Sequence, residues 1–161
     1  MPATGGRSTR SVTSTGSQVA LTRLPLHLVT LNLQRLSGGE QGESMSSIER
    51  LETGPRMSQA VIHNGVVYLA GQVAADCPGA PVKDQARNIL ERTDKLLAAA
   101  GTDKTKLLQV TIWLADMRTF DDMNSVWDKW VTAGSAPARA TVEAKLASPA
   151  YTVEMSFIAA R

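Results

Sequence analysis

The chain has 161 residues, which suits one domain, and its 43% hydrophobic and 20% charged content is ordinary for a globular protein. Its one cysteine, Cys77, excludes an internal disulfide, and no window approaches the run of about 18 apolar residues that a membrane span requires. The formal charge of +2 arises within the first 44 residues, where Arg7, Arg10, Arg23 and Arg35 outnumber Glu40 and Glu43; the rest balances 13 basic against 13 acidic side chains, so the basic excess gives no nucleic-acid footprint.

Residues 1–18 are rich in Ser, Thr and Gly and are expected to be disordered. Residues 19–36 repeat leucine, but Pro25 interrupts any helix, and Gly38, Gly39 and Gly42 then form a flexible joint. Three readings of residues 1–44 compete: an organelle-targeting peptide, a docking arm, or a non-native extension ahead of a true start at Met45. The last is favoured, because Met45-Ser-Ser-Ile leads directly into a domain-like pattern. The folded domain is therefore placed at residues 45–161. The expected location is the cytoplasm, with organelle targeting by residues 1–44 as the competing reading.

Residues 48–52 read as a short first strand. Residues 60–70 read as a hairpin, with Asn64-Gly65 supplying the left-handed turn. Gly71 follows a strand end and leaves room for close backbone approach. The spacing of Ala86, Ile89, Leu90, Leu96 and Leu97 predicts an amphipathic helix over 83–99, ended by Gly101. Residues 107–114 read as a strand. Met123, Val126, Trp127 and Trp130 mark a second helix over 120–130, with Thr119 or Asp121 as its cap. Residues 139–146 and 151–159 read as two last strands, expected to pair antiparallel across the Ala147-Ser148-Pro149 turn. The order β-β-β-α-β-α-β-β predicts an α+β two-layer sandwich, a mixed sheet with two helices on one face. The other face would expose apolar surface, so a homo-oligomer that packs sheet faces around a symmetry axis is expected.

Arg139 is the foremost candidate for ligand binding. It follows the turn at Pro137 and starts a strand, so it can present a two-pronged donor to a carboxylate; the competing reading is an ordinary salt bridge. Glu154, on the last strand and opposite Arg139 if the final hairpin forms, can polarise a water or pair with Arg139 or Lys145. Glu143 shares the parity of Arg139 and is a weaker candidate. Asn124 can hydrogen-bond near the site or face solvent. Ser58 and Thr141 are hydroxyls without a visible base, which gives no support for covalent catalysis. His27 and His63 give no metal spacing, His63 reads as a surface residue, and Cys77 lies in a loop without a catalytic partner. Trp113, Trp127 and Trp130 read as core or interface. No cofactor motif is present.

The segments VVYLAGQV, AAAGTDKTKLLQVTIWLADM, FDDMNSVWDKW, APARATVEAKL and YTVEMSFIAA, in this order and spacing, resemble the Rid family. These are the reactive-intermediate deaminases, also known as YjgF or UK114 proteins and earlier as endoribonuclease L-PSP. The resemblance covers residues 48–160. It implies a chorismate-mutase-like fold and a homotrimer with clefts between subunits. It also implies hydrolysis of small 2-imino acids and their enamine tautomers to 2-oxo acids and ammonia, without cofactor or metal. Under this resemblance Arg139 matches the arginine that binds the substrate carboxylate, Glu154 the glutamate that orients the attacking water, and Asn124 a family asparagine of the second helix. The chain departs from the active branch at Ser58, where a tyrosine is usual, at Ala70, where a serine is usual, and at Thr141, where a cysteine is frequent. Ser58, Ala70 and Thr141 are therefore expected to border the substrate and to alter its range. A non-enzymatic metabolite-binding or regulatory trimer is the alternative, and an endoribonuclease is a weaker one, because the neutral domain lacks a basic-aromatic surface.

Overall fold

Period-two alternation identifies the centre of the sheet. In the strand Val153–Ala160, Val153, Met155, Phe157 and Ala159 are fully buried, while Glu154, Ser156, Ile158 and Ala160 alternate with them. The computed structural model describes residues 47–161, and the expectations for residues 1–44 lie outside the described residues. Seven strands form one mixed sheet: β1 (Glu49–Thr53), β2 (Ser58–His63), β3 (Val66–Leu69), β4 (Gln72–Val73), β5 (Leu107–Leu114), β6 (Ala138–Glu143) and β7 (Val153–Ala160). The order across it is β1-β2-β3-β7-β5-β6, with the short β4 also paired to β7.

Helices α1 (Val82–Ala99) and α2 (Phe120–Trp130) cover one face. Ala86, Ile89, Leu90, Leu96 and Leu97 of α1 are buried, as the spacing predicts, and Met123 and Trp127 of α2 join the same core. Phe157 meets the Trp130 ring edge-on, with centroids 6.1 Å apart. The expected two-layer α+β architecture is thus the observed one.

Local chemistry accounts for most boundaries. Asn64 and Gly65 both have positive φ, as a tight turn between β2 and β3 demands. Gly101 (φ 76°) ends α1 in a Schellman arrangement, in which its N–H donates to Ala98 O and the Thr102 N–H to Leu97 O. The cap expected for α2 is different. Thr119 occupies the cap position, but its hydroxyl donates to Asp116 O, and Asp121 lies within the first turn. Asp116 instead caps the preceding 3₁₀ turn, Met117–Thr119, by accepting from Arg118 N–H.

The expected hairpin between the last two strands does not form. β6 pairs in parallel with β5, and β7 lies between β3 and β5, antiparallel to both. The cause is α2, which carries the chain back so that β6 begins at the same end as β5, as a crossover helix does. β6 also ends at Glu143 rather than at residue 146, and the following loop returns the chain to the middle of the sheet. The buried Gln85 of α1 fixes that return: its Nε2 donates to Ala80 O and Ala150 O, and its Oε1 accepts from Thr152 N–H.

Candidate active site in two halves

β6 is an edge strand with Arg139, Thr141 and Glu143 on its helix side. Arg139 Nη1 donates to Asn124 Oδ1 at 2.9 Å. The guanidinium carbon lies 5.1 Å from the Trp127 ring centroid and 5.9 Å from that of Phe120. Asn124, Trp127 and Phe120 are spaced at one face of α2, so about two helix turns hold the arginine. Thr141 lies two residues along the same face of β6, and its Oγ1 is buried with no hydrogen-bond partner among the described residues. Glu143 accepts from Met117 N–H at 2.8 Å, which makes it a tie for the β5–α2 connection.

Glu154 belongs to a different place. Its neighbours in register are Trp113 on β5 and Val73 on β4. Val153 and Met155 point into the core, so Glu154 faces the side of the sheet away from the helices. Its carboxylate rests on Gly71, where any Cβ would occupy the same space as Oε1. Ala70 and Gln72 flank that glycine. The Ala70 N–H donates to Gln59 O, and the buried Gln72 Nε2 donates to both Ala70 O and Gln59 Oε1. Ser58 begins β2 beside Gln59, and its hydroxyl is 3.1 Å from Thr53 Oγ1.

The sequence-derived candidates therefore fall into two groups. Arg139, Asn124 and Thr141 are together at the β6–α2 edge. Glu154 and Ala70 are together near β4, with Ser58 on the adjoining end of β2. The expectation that Glu154 stands opposite Arg139 is corrected: Arg139 pairs with Val110, which in turn pairs with Phe157. Two strand spacings, about 10 Å, and the thickness of the sheet separate the two side chains within one chain. Phe120 and Trp127 join the site although the sequence marks Trp127 only as core or interface; their spacing with Asn124 is the signal that places them there. Among the described residues no group of three or more His, Cys, Asp or Glu is placed to hold a metal ion, and no helix is long and apolar enough to cross a membrane. Cys77 is free and half-buried in the loop before α1, and His63 is half-buried with Nε2 3.1 Å from Asn64 Nδ2.

A mixed sheet covered on one face by two helices, with an arginine on its edge strand and a carboxylate on its central strand, defines a small α+β domain. The family described as Endoribonuclease L-PSP matches residues 47–161. A RutC family protein of Haemophilus ducreyi is 41% identical over 113 residues, covering 70% of this chain and 96% of its own. The crystal structure of a YjgF family member from Neisseria meningitidis superimposes with a TM-score of 0.69 at 42% identity, covering 71% of this chain and 95% of its own. A rat protein named 2-iminobutanoate/2-iminopropanoate deaminase is 32% identical over 108 residues, covering 63% of this chain and 77% of its own. The chain belongs to the RidA/YjgF/UK114 (Rid) family, formerly called endoribonuclease L-PSP. Deaminase-type chemistry on imines and enamines is supported at the level of that family.

Proposed function

We propose that this protein hydrolyses small 2-imino acids, and their enamine tautomers, to 2-oxo acids and ammonia. The observation that carries this reading is the Arg139 fork, held by Asn124 on one nitrogen and open to a carboxylate on the others. The imine carbon is already electrophilic once its nitrogen is protonated. The enzyme then chiefly needs placement of the substrate and a directed water. Arg139 binds the carboxylate. Glu154 holds the water, takes a proton as the water adds to the imine carbon, and returns one to the departing nitrogen, so that C=N and water become C=O and ammonia. The rat deaminase named above supports the substrate class.

One chain keeps Arg139 and Glu154 apart, so the proposed site forms between chains. The arginine half of one subunit meets the glutamate half of the next in a homotrimer, giving equivalent clefts. The open sheet face suits that assembly. Tyr68 and Val142 on it are each 45% exposed, and Trp113 lies between Val142 and Glu154 in register.

The test is ammonia release from imino acids generated in situ by an amino-acid oxidase. Acceleration by the wild type that R139A and E154A each abolish supports the proposal; acceleration that survives R139A sinks it. One observation favours a second reading. Ala70 brings no hydroxyl to the glutamate half, so fewer polar groups stand beside Glu154 to hold a water. A metabolite-binding trimer would then bind 2-oxo acids through Arg139 and release no ammonia.

A further inference from the structure

We propose that Trp127, seconded by Phe120, is a positioning residue that orients the Arg139 fork for carboxylate capture. This inference rests on the reading of Arg139 as the carboxylate clamp. Arg139 stands on an edge strand whose residues are nearly all exposed, and it forms no ion pair among the described residues. A long side chain in that setting would sample many rotamers, and ordering it on binding would weaken capture of a small ligand. Two contacts remove that freedom. Asn124 Oδ1 takes one Nη1 hydrogen. The guanidinium carbon lies over the Trp127 ring, 5.1 Å from its centroid, and 5.9 Å from that of Phe120, within cation–π range of both.

Both rings are fixed in turn. Trp127 is 5% exposed, and its centroid lies 5.4 Å from that of Trp130, which donates through Nε1 to Asp94. Phe120 is half-buried against the core at the first position of α2. The guanidinium is thus held by one hydrogen bond and by cation–π attraction to two rings. The nitrogens not engaged by Asn124 are left as the edge that can meet both oxygens of a carboxylate. A lysine could sit over the same ring, as Lys104 does over Trp130 at 5.2 Å, but it would bring no second prong for a carboxylate.

The role is one of binding rather than of the chemical step. Arg139 meets the carboxylate equally in the ground and transition states, so loss of orientation raises KM and leaves kcat nearly unchanged. Replacing Trp127 by leucine is expected to raise KM for an imino acid about tenfold, equivalent to about 1.4 kcal/mol. W127F keeps an aromatic face and is expected to recover most of that loss. The 2-oxo acid product, titrated by calorimetry against W127L, W127F, R139A and wild type, reads the same effect without turnover. Its carboxamide analogue lacks the charge and should bind all four alike. Thermal unfolding and sedimentation of each variant identify the folded, assembled protein.

Weaker 2-oxo acid binding in W127L, unchanged carboxamide binding and rescue by W127F support the proposal. Unchanged 2-oxo acid binding in W127L, with R139A still defective, overturns the positioning role and leaves the clamp intact. Equal losses in W127L and W127F, or equal losses for acid and carboxamide, also overturn it, since they mark a packing defect. Normal 2-oxo acid binding by R139A sinks the clamp and this inference with it.

Discussion

The β6–α2 edge and the middle of the sheet at β7 solve opposite problems. Arg139 lies on an exposed edge and gains its order from one helix, through Asn124, Trp127 and Phe120. Glu154 lies on the central strand and gains its order from neighbours on both sides, with Gly71 leaving space for its carboxylate. A cation of modest hydration cost suits an aromatic seat at the rim, and a carboxylate suits a strand held from both edges. The lesson is that neither half is complete. In the proposed reaction the edge would supply recognition and the centre a proton carrier, and the chain's own sheet separates them.

The sharpest way to break that comparison is to mix two dead variants. R139A and E154A should each lose at least about a hundredfold in kcat/KM for an imino acid, the first mainly through KM and the second through kcat. Trimers assembled from equal amounts of both should recover about one quarter of wild-type activity, because one subunit's intact arginine can meet its neighbour's intact glutamate. No recovery in mixed trimers would mean that the two groups serve one chain or none.

Stability should divide along the same line. Phe157→Ala, three residues beyond Glu154 and fully buried, should cost about 3–5 kcal/mol in urea unfolding. Val142→Asp, on the open face of the edge strand, should leave the far-ultraviolet spectrum unchanged and shift the sedimenting species toward monomer, with loss of turnover. A V142D protein that stays trimeric would remove the open face from the proposed interface.

Gly71→Ala sharpens the central half alone. The added methyl meets the movable end of Glu154, so the fold should lose under about 1 kcal/mol while turnover falls at least about tenfold, the carboxylate being displaced. Unchanged turnover would show that the position of Glu154 is not critical.

The smallest effects concern pH, through two exposed carboxylates in the turns before β5 and α2. Side-chain and backbone hydrogen bonds from Thr105 lower the Asp103 pKa at the entry to β5, and the same two kinds of bond from Arg118 lower that of Asp116 before α2. A carboxyl that titrates lower in the folded chain favours folding fully above its unfolded pKa. That contribution is lost as pH falls through the folded pKa. D103N and D116N should therefore flatten the acid side of the stability profile slightly, read as urea midpoints between about pH 7 and about pH 3. An unchanged acid limb in both variants would show that these exposed bonds carry no net stability.

Much of this was legible in residue order. The α1 stripe, the Asn64-Gly65 turn and the alternation of the last strand are local patterns, and local sterics and burial enforce them. Arg139, Glu154 and Asn124 were each visible through their residue types and the family segments around them. The aromatic seat was half visible, since Phe120, Asn124 and Trp127 repeat at helical spacing, but its orientation toward Arg139 was not. The pairing of the last two strands is not legible locally, because a proline-bearing turn between two apolar runs looks like a hairpin. Register and partner choice depend on which face must be buried, and that is a property of the assembled sheet.

By itself, then, the sequence determined both helices and every strand but the short β4, the two-layer class, the family and the chemical vocabulary, because these depend on contacts within a few residues and on motif order. Only the tertiary structure decided that β7 lies between β3 and β5, that Trp127 faces the guanidinium, and that Arg139 and Glu154 sit apart on opposite sides of one sheet. Those facts follow from long-range pairing, in which the free energy of burying a whole face outweighs what any local turn prefers.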